Sequence, residues 1–149
     1  PPAETGKNEA AAPVAAFPSP APDQPQDDRR VIRALVVDDE RIYRELLKDM
    51  LRESGISVTV ASSGEEAVEK SSTEKFGIVF IDYLMPGMGG IEAAGKIRRN
   101  NEDCDIVFIS GRTILPSLKS SLSIERAHYL GKPFDIAELR RLVSDLTGA

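Results

Sequence analysis

FGIVFIDYLMPGMGG, residues 76–90, decides how the rest of the chain is to be read. FGIVFI has the unbroken apolar character of a strand buried on both faces. The run stops at one acid, Asp82. A turn built from Pro86, Gly87, Gly89 and Gly90 follows. An apolar run, a lone carboxylate and then a breaker cluster place an acid at the carboxyl edge of a parallel strand. In open α/β sheets that edge is where ligands bind. Taken alone, such an Asp reads more readily as a helix or turn cap, so the flanking sequence has to decide.

On the N-terminal side, VIRALVV (31–37) is a β-branched run that ends in Asp38-Asp39-Glu40. ERIYRELLKDMLRESG then carries Ile42, Leu46, Leu47, Met50 and Leu51 at helical spacing, with Gly55 as a stop. ISVTVA (56–61) is a second strand. Ser63 with Glu66 forms a capping box for a second helix, with Ala67 and Val68 facing inward. On the C-terminal side, IEAAGKIRRN (91–100) is a short helix, and DIVFIS (105–110) is a fourth strand ending in the hydroxyl of Ser110. Residues 112–124 form a weaker helical pattern through Ile114, Leu115, Leu118 and Leu122, disturbed by Pro116. AHYL (127–130) is a fifth strand leading to Gly131-Lys132-Pro133. Asp135 and Glu138 cap a last helix whose inner face is Ile136, Leu139, Leu142, Val143 and Leu146.

A strand followed by a helix, five times over, predicts a single α/β domain with a parallel sheet and right-handed crossovers. Five strands suit the doubly wound order 2-1-3-4-5, whose switch point lies between strands one and three. Those strands end in Asp38-Asp39 and in Asp82. The acids therefore converge on one crevice, which moves the reading of Asp82 away from a simple cap.

Composition sets the outer bounds. The chain has 149 residues and a net charge of -5, which argues against non-specific nucleic-acid binding by the chain as a whole. No apolar run approaches the ~20 residues that span a bilayer, and no signal-peptide pattern opens the sequence, so a cytoplasmic location is the default expectation. One cysteine, Cys104 in a polar stretch, excludes an internal disulfide and a cysteine-cluster metal site. Residues 1–29 hold seven of the ten prolines and, as larger apolar groups, only Val14 and Phe17. Such a segment cannot offset its ordering entropy and reads as a disordered Pro/Ala-rich tail or linker ahead of a domain at 30–149. It begins without a methionine, as a fragment or a processed chain would.

Three carboxylates in one crevice repel one another, so either some stay protonated or a cation joins them. An all-oxygen donor set favours a hard divalent ion, most simply Mg²⁺. Strand five brings Lys132 to the same edge and strand four brings Ser110. A cation site, an ammonium and a hydroxyl around a carboxylate suit a phosphoryl group, and the carboxylate can itself be the nucleophile that forms an acyl phosphate.

With these residues in place, 31–148 resembles the receiver domain of two-component response regulators, the CheY-like family. The resemblance rests on four motifs in order: the acid pair Asp38-Asp39, the run Asp82-Tyr-Leu-Met-Pro-Gly-Met-Gly-Gly90, Ser110, and Lys132-Pro133-Phe134. It implies that Asp82 is the phosphoacceptor. It implies that Asp39 holds Mg²⁺ directly, Asp38 largely through water, and that Asp82 and the backbone carbonyl of Leu84 complete the metal site. Lys132 would pair with phosphoryl oxygens and precede a cis Pro133. Ser110 and Tyr129 would be the switch hydroxyl and switch aromatic, while His128 would be a plain surface residue. By the family's geometry Leu84 and Arg112 flank the water that hydrolyses the acyl phosphate. Neither is a general base, so slow dephosphorylation is expected.

The resemblance further implies a sensor histidine kinase or a histidine phosphotransfer protein as donor. It implies a downstream protein target on the face of the fourth helix, fifth strand and fifth helix, with no direct nucleic-acid or membrane partner. The chain would be no enzyme beyond its own phosphorylation and slow dephosphorylation, and either a stand-alone regulator or the receiver of a hybrid kinase. Two departures fall on the readout face: Glu125-Arg126 stands where the family commonly has Gly-Ala, and Pro116 lies in the fourth helix. The alternatives are a phospho-independent pseudo-receiver and a Mg²⁺-dependent phosphohydrolase with an Asp nucleophile. The first usually lacks an acid or the Lys. The second normally carries D-x-D on one strand and a cap insertion.

Overall fold

The structure is a computed structural model that describes residues 31–121 and 124–148. The expected tail at 1–29 and the place of Leu122 in the fourth helix fall outside those residues. The elements alternate strictly: β1 (Arg33–Val37), α1 (Arg41–Glu53), β2 (Ser57–Ala61), α2 (Gly64–Ser71), β3 (Ile78–Asp82), α3 (Gly90–Asn100), β4 (Asp105–Gly111), α4 (Leu115–Ser121), β5 (Ala127–Lys132) and α5 (Ile136–Thr147). All pairings are parallel and the order is β2-β1-β3-β4-β5, the expected doubly wound sheet.

Every residue of β3 is buried, because helices cover both faces of a central parallel strand. Side chains alternate between the faces. Leu35, Val37, Val79, Ile81, Ile106 and Phe108 pack with Ala67, Ala93, Ile97 and Leu118 of α2, α3 and α4. Ala34, Val36, Ile78, Phe80, Val107 and Ile109 pack with Leu47, Leu51, Leu139 and Val143 of α1 and α5. Cys104 belongs to the first of these layers and is buried, and that burial raises its thiol pKa. The polar run around it hid a core position. No described helix is long and apolar enough to cross a membrane.

Three local expectations need correction. Ile42 and Leu46 do not face the core: they are 81% and 41% exposed, while Leu47, Met50 and Leu51 are buried. At about 100° per residue the five positions span half the helix circumference, and the sheet covers only the part from Met50 to Leu51. Ser63 caps α2 by accepting from the Glu66 N–H, but Glu66 bonds the N–H and hydroxyl of Ser62 rather than returning to the cap residue. The full reciprocal box is at α5, between Asp135 and Glu138. Pro116 does not interrupt α4. The helix begins at Leu115, so Pro116 sits in its first turn, where its missing N–H would have had no helical partner.

Candidate functional site

The alternation that builds the core also builds the site. The row facing α1 and α5 runs Ala34, Val36 and on to Asp38 past β1, Ile78, Phe80 and Asp82 along β3, and Leu130 and Lys132 along β5. Each row exchanges an apolar side chain for a charged one at the carboxyl edge. Asp38, Asp82 and Lys132 thus share one side of the sheet, although they come from separate strands.

Backbone contacts fix the acids. Asp38 donates its N–H to the Ala61 carbonyl at 3.2 Å, and its carbonyl accepts from Arg44 Nη1 at 2.8 Å. Asp38 Oδ1 accepts the Glu40 N–H at 2.8 Å, and Asp82 Oδ1 accepts the Leu84 N–H at 3.2 Å. The turn after β3 closes on Gly90, whose N–H donates to the Tyr83 carbonyl at 3.1 Å. A Cβ there would lie 2.4 Å from the carbonyl oxygen of Asp82. Only glycine lets α3 start this close to the acid-bearing strand end.

Lys132 Nζ lies 3.1 Å from Asp38 Oδ2, 3.0 Å from Glu40 Oε1 and 3.2 Å from Asp82 Oδ2. It also sits 4.1 Å from the centroid of the Tyr43 ring, a cation–π arrangement. Burial works against the ammonium, and the contacts with Glu40, Asp38 and Asp82 overcome it, holding the Lys132 pKa above the ordinary lysine value. Burial and then the charge of Asp38 push the Asp82 carboxyl up to about 6, against the pull of Lys132 and the Leu84 N–H.

One carboxylate oxygen from each of Asp38, Glu40 and Asp82 lies within 4.8 Å of the others. Asp38 Oδ2 is fully buried and accepts no hydrogen bond from the described residues. Its 3.1 Å approach to Lys132 Nζ is close enough for Coulomb attraction but off the direction a hydrogen bond requires. Three acids face a single ammonium here, so the cluster stays net negative, and a further cation beside the buried Asp38 oxygen would offset that repulsion. Oxygen donors alone fit a hard divalent ion such as Mg²⁺. Asp39 is exposed and stands outside this group; Glu40 stands in it. The signal for Glu40 was in the run Asp-Asp-Glu, of which sequence reasoning used only the pair.

Of the remaining expected residues, Ser110, Leu84 and Arg112 lie toward the same edge, whereas Tyr129 and His128 lie further back along β5. Ser110 is buried, and among the described residues its hydroxyl makes only a long 3.4 Å bond to the Gly111 carbonyl. Tyr129 is half-buried on the α4 side, 6.1 Å from the Phe108 ring, with Lys119 Nζ 5.6 Å from its centroid. Leu84 is exposed. The Arg112 guanidinium reaches the Pro133 carbonyl at 2.8 Å and both Glu138 carboxylate oxygens at 3.0 Å, so it is turned toward α5. The Lys132–Pro133 bond is cis. His128 is half-buried and pairs with Asp105 at 3.0 Å rather than standing free on the surface. A cavity of about 480 Å³ lies at the opposite edge of the sheet, against Phe76, Gly77 and Cys104, away from this chemistry.

The chain is similar to known proteins in sequence and in fold. The sequence model of the family described as the response regulator receiver domain matches residues 34–144. The response regulator MprA of Mycolicibacterium vanbaalenii is 33% identical over 108 residues, which are 72% of this chain and 47% of that protein. The chain therefore spans about half the length of the curated relatives it matches. Among solved structures, the response regulator TrrA of Thermotoga maritima in complex with Mg(2+)-BeF is 38% identical with a TM-score of 0.68, covering 78% of this chain and 99% of that one. The receiver domain of the hybrid histidine kinase CckA is 28% identical with a TM-score of 0.67, covering 77% and 98%.

Proposed function

This chain belongs to the response regulator receiver family, and from that premise we propose that Asp82 is the phosphoacceptor of a His-to-Asp relay. Receiver domains are regulatory modules of two-component systems rather than conventional enzymes. The observation that carries the reading is the placement of Asp82 at the end of the central strand, 3.2 Å from Lys132 and beside the orphaned oxygen of Asp38.

In this reading an Asp82 oxygen attacks phosphorus, the bond from phosphorus to the donor atom breaks, and the leaving group takes that electron pair. With its carboxyl near 6, Asp82 is mostly ionised at pH 7 and available as nucleophile. Lys132 supplies positive charge where phosphoryl oxygens gather. Mg²⁺, when bound, would neutralise the acids and polarise the phosphoryl group. Asp38, Asp82 and the Leu84 carbonyl would help to hold it. Asp39, assigned a direct bond by the family resemblance, would have to turn in from its exposed position.

The donor is the phosphohistidine of a sensor kinase or of a phosphotransfer protein, and the setting is cytoplasmic. Phosphorylation draws Ser110 toward the phosphoryl oxygens and lets Tyr129 turn inward, changing the α4-β5-α5 face that a downstream protein reads. The likeness to both a response regulator and a hybrid-kinase receiver is compatible with either setting. Incubation with Mg²⁺ and a small-molecule phosphodonor separates this reading from its rivals. A stable acyl phosphate supports it; continuous turnover marks a phosphohydrolase, and no reaction marks a pseudo-receiver.

A further inference from the structure

Glu40 occupies the N-cap position of α1, yet its carboxylate makes no bond to that helix. Side chains at this position usually do. Its backbone is held at both ends: the N–H donates to Asp38 Oδ1, and the carbonyl accepts from the Arg44 N–H. From that fixed start the side chain crosses the crevice to Lys132 Nζ at 3.0 Å.

An ammonium has three N–H donors. Lys132 gives one to Glu40 Oε1 and one to Asp82 Oδ2, with Asp38 Oδ2 at 3.1 Å and the Tyr43 ring at 4.1 Å. The third N–H makes no hydrogen bond among the described residues, but three carboxylates already crowd the ammonium within 3.2 Å, and a phosphoryl oxygen adds a fourth negative group beside them. The side chains of Asp38 and Asp82 are 0% and 9% exposed and cannot leave without moving a strand end, whereas that of Glu40 is 59% exposed. An exposed ion pair is weakly held and readily exchanged for water. Glu40 also adds a negative charge at the mouth of a crevice meant for an anion.

We propose that Glu40 is a displaceable placeholder on Lys132: it occupies one N–H of the ammonium in the resting site and, as the exposed acid of the three, swings out when a phosphoryl anion binds there. This role rests on the phosphoacceptor reading of Asp82. Glu40 is thus a positioning residue that keeps the ammonium placed in the resting site and raises the threshold for loading it.

The test titrates the full chain with beryllofluoride in excess Mg²⁺, and separately with Mg²⁺ alone, following backbone amide NMR shifts. Wild type is compared with Glu40→Gln, which removes the charge, and with Glu40→Asp, which keeps it on a side chain one methylene too short to reach. Both variants are expected to bind beryllofluoride roughly threefold to tenfold more tightly than wild type, as loss of a weak competing ion pair implies. Their Mg²⁺ affinity should change by less than about tenfold. Variants no tighter than wild type would overturn the proposal. So would tightening in Glu40→Gln alone, which shows bulk charge rather than contact, or a loss of Mg²⁺ affinity of about tenfold or more, which makes Glu40 a cation ligand. A wild-type chain that takes up no beryllofluoride would contradict the phosphoacceptor reading itself, and this role with it.

Discussion

Asp82 is held in a place that suits chemistry better than stability. Its carboxyl is raised to about 6, first by burial and then by Asp38. A carboxyl whose folded pKa exceeds its unfolded value of about 3.9 destabilises the fold once both states are ionised. The penalty is fully present above about 6 and fades as pH falls toward 4. In Mg²⁺-free buffer Asp82→Asn should therefore raise stability at pH 7 by on the order of 1 kcal/mol, discounted for solvent screening, and the gain should shrink on acidification. Urea melts at pH 7 and pH 4.5 check the sign; an equal gain at both would remove the carboxyl as its cause.

In the proposed reading, Leu84 and Arg112 would flank the water that hydrolyses the acyl phosphate. Leu84, two residues beyond Asp82, cannot hydrogen-bond a water. Arg112 is committed to Glu138 and the Pro133 carbonyl in the resting arrangement. Neither can accept a proton, so loss of the phosphoryl group should take many minutes. Leu84→Asn with Arg112→Glu should speed it about tenfold, or ~1.4 kcal/mol of barrier. Arg112→Glu also sets two acids against each other at the start of α5, so Glu138→Gln is the control. Loss within seconds in wild type, or no acceleration in the double variant, would contradict this.

At the scale of elements, the β3–α3 turn and α4 differ in how firmly they are specified. Gly90→Ala would drive a Cβ to 2.4 Å from the Asp82 carbonyl oxygen and 2.9 Å from Tyr83 Cα, both backbone atoms. It should cost roughly 2–4 kcal/mol in urea unfolding, while Gly95→Ala, which meets nothing within 4 Å, should cost nothing measurable. A proline inside α4 would interrupt its hydrogen-bond ladder and make Pro116 the cause of any mobility there. In the structure the proline is in the first turn, and what predicts a labile α4 is instead thin packing: Leu118 is buried from this short helix, against Leu47, Met50 and Leu51 from α1. Amide hydrogens of α4 should therefore exchange faster than those of α1 both in wild type and in Pro116→Ala. Slowing of α4 to the α1 rate in that variant would return the cause to the proline.

For the molecule as a whole, the fold was legible because strand runs and helical spacings alternate without interruption, and each strand stops at a polar residue on the same edge. The convergence of Asp38, Asp82 and Lys132 followed from strand order alone. Contacts that depend on side-chain direction were not legible. The exposure of Ile42 depends on how α1 is rotated against the sheet, the burial of Cys104 on packing behind α3, and the turn of Arg112 toward Glu138 on the start of α5. Glu40 was invisible for the same reason, since nothing in an Asp-Asp-Glu run says which carboxylates turn into the crevice.

The central claim is that this crevice exists to load Asp82, and intact-mass measurement of the full chain after exposure to a small-molecule phosphodonor tests it directly. One phosphoryl adduct is expected in the presence of Mg²⁺, stable in acid, lost in base, absent when Mg²⁺ is chelated and absent in Asp82→Asn. An adduct that persists in Asp82→Asn at the wild-type level, or a wild-type chain that gains none, would contradict the claim.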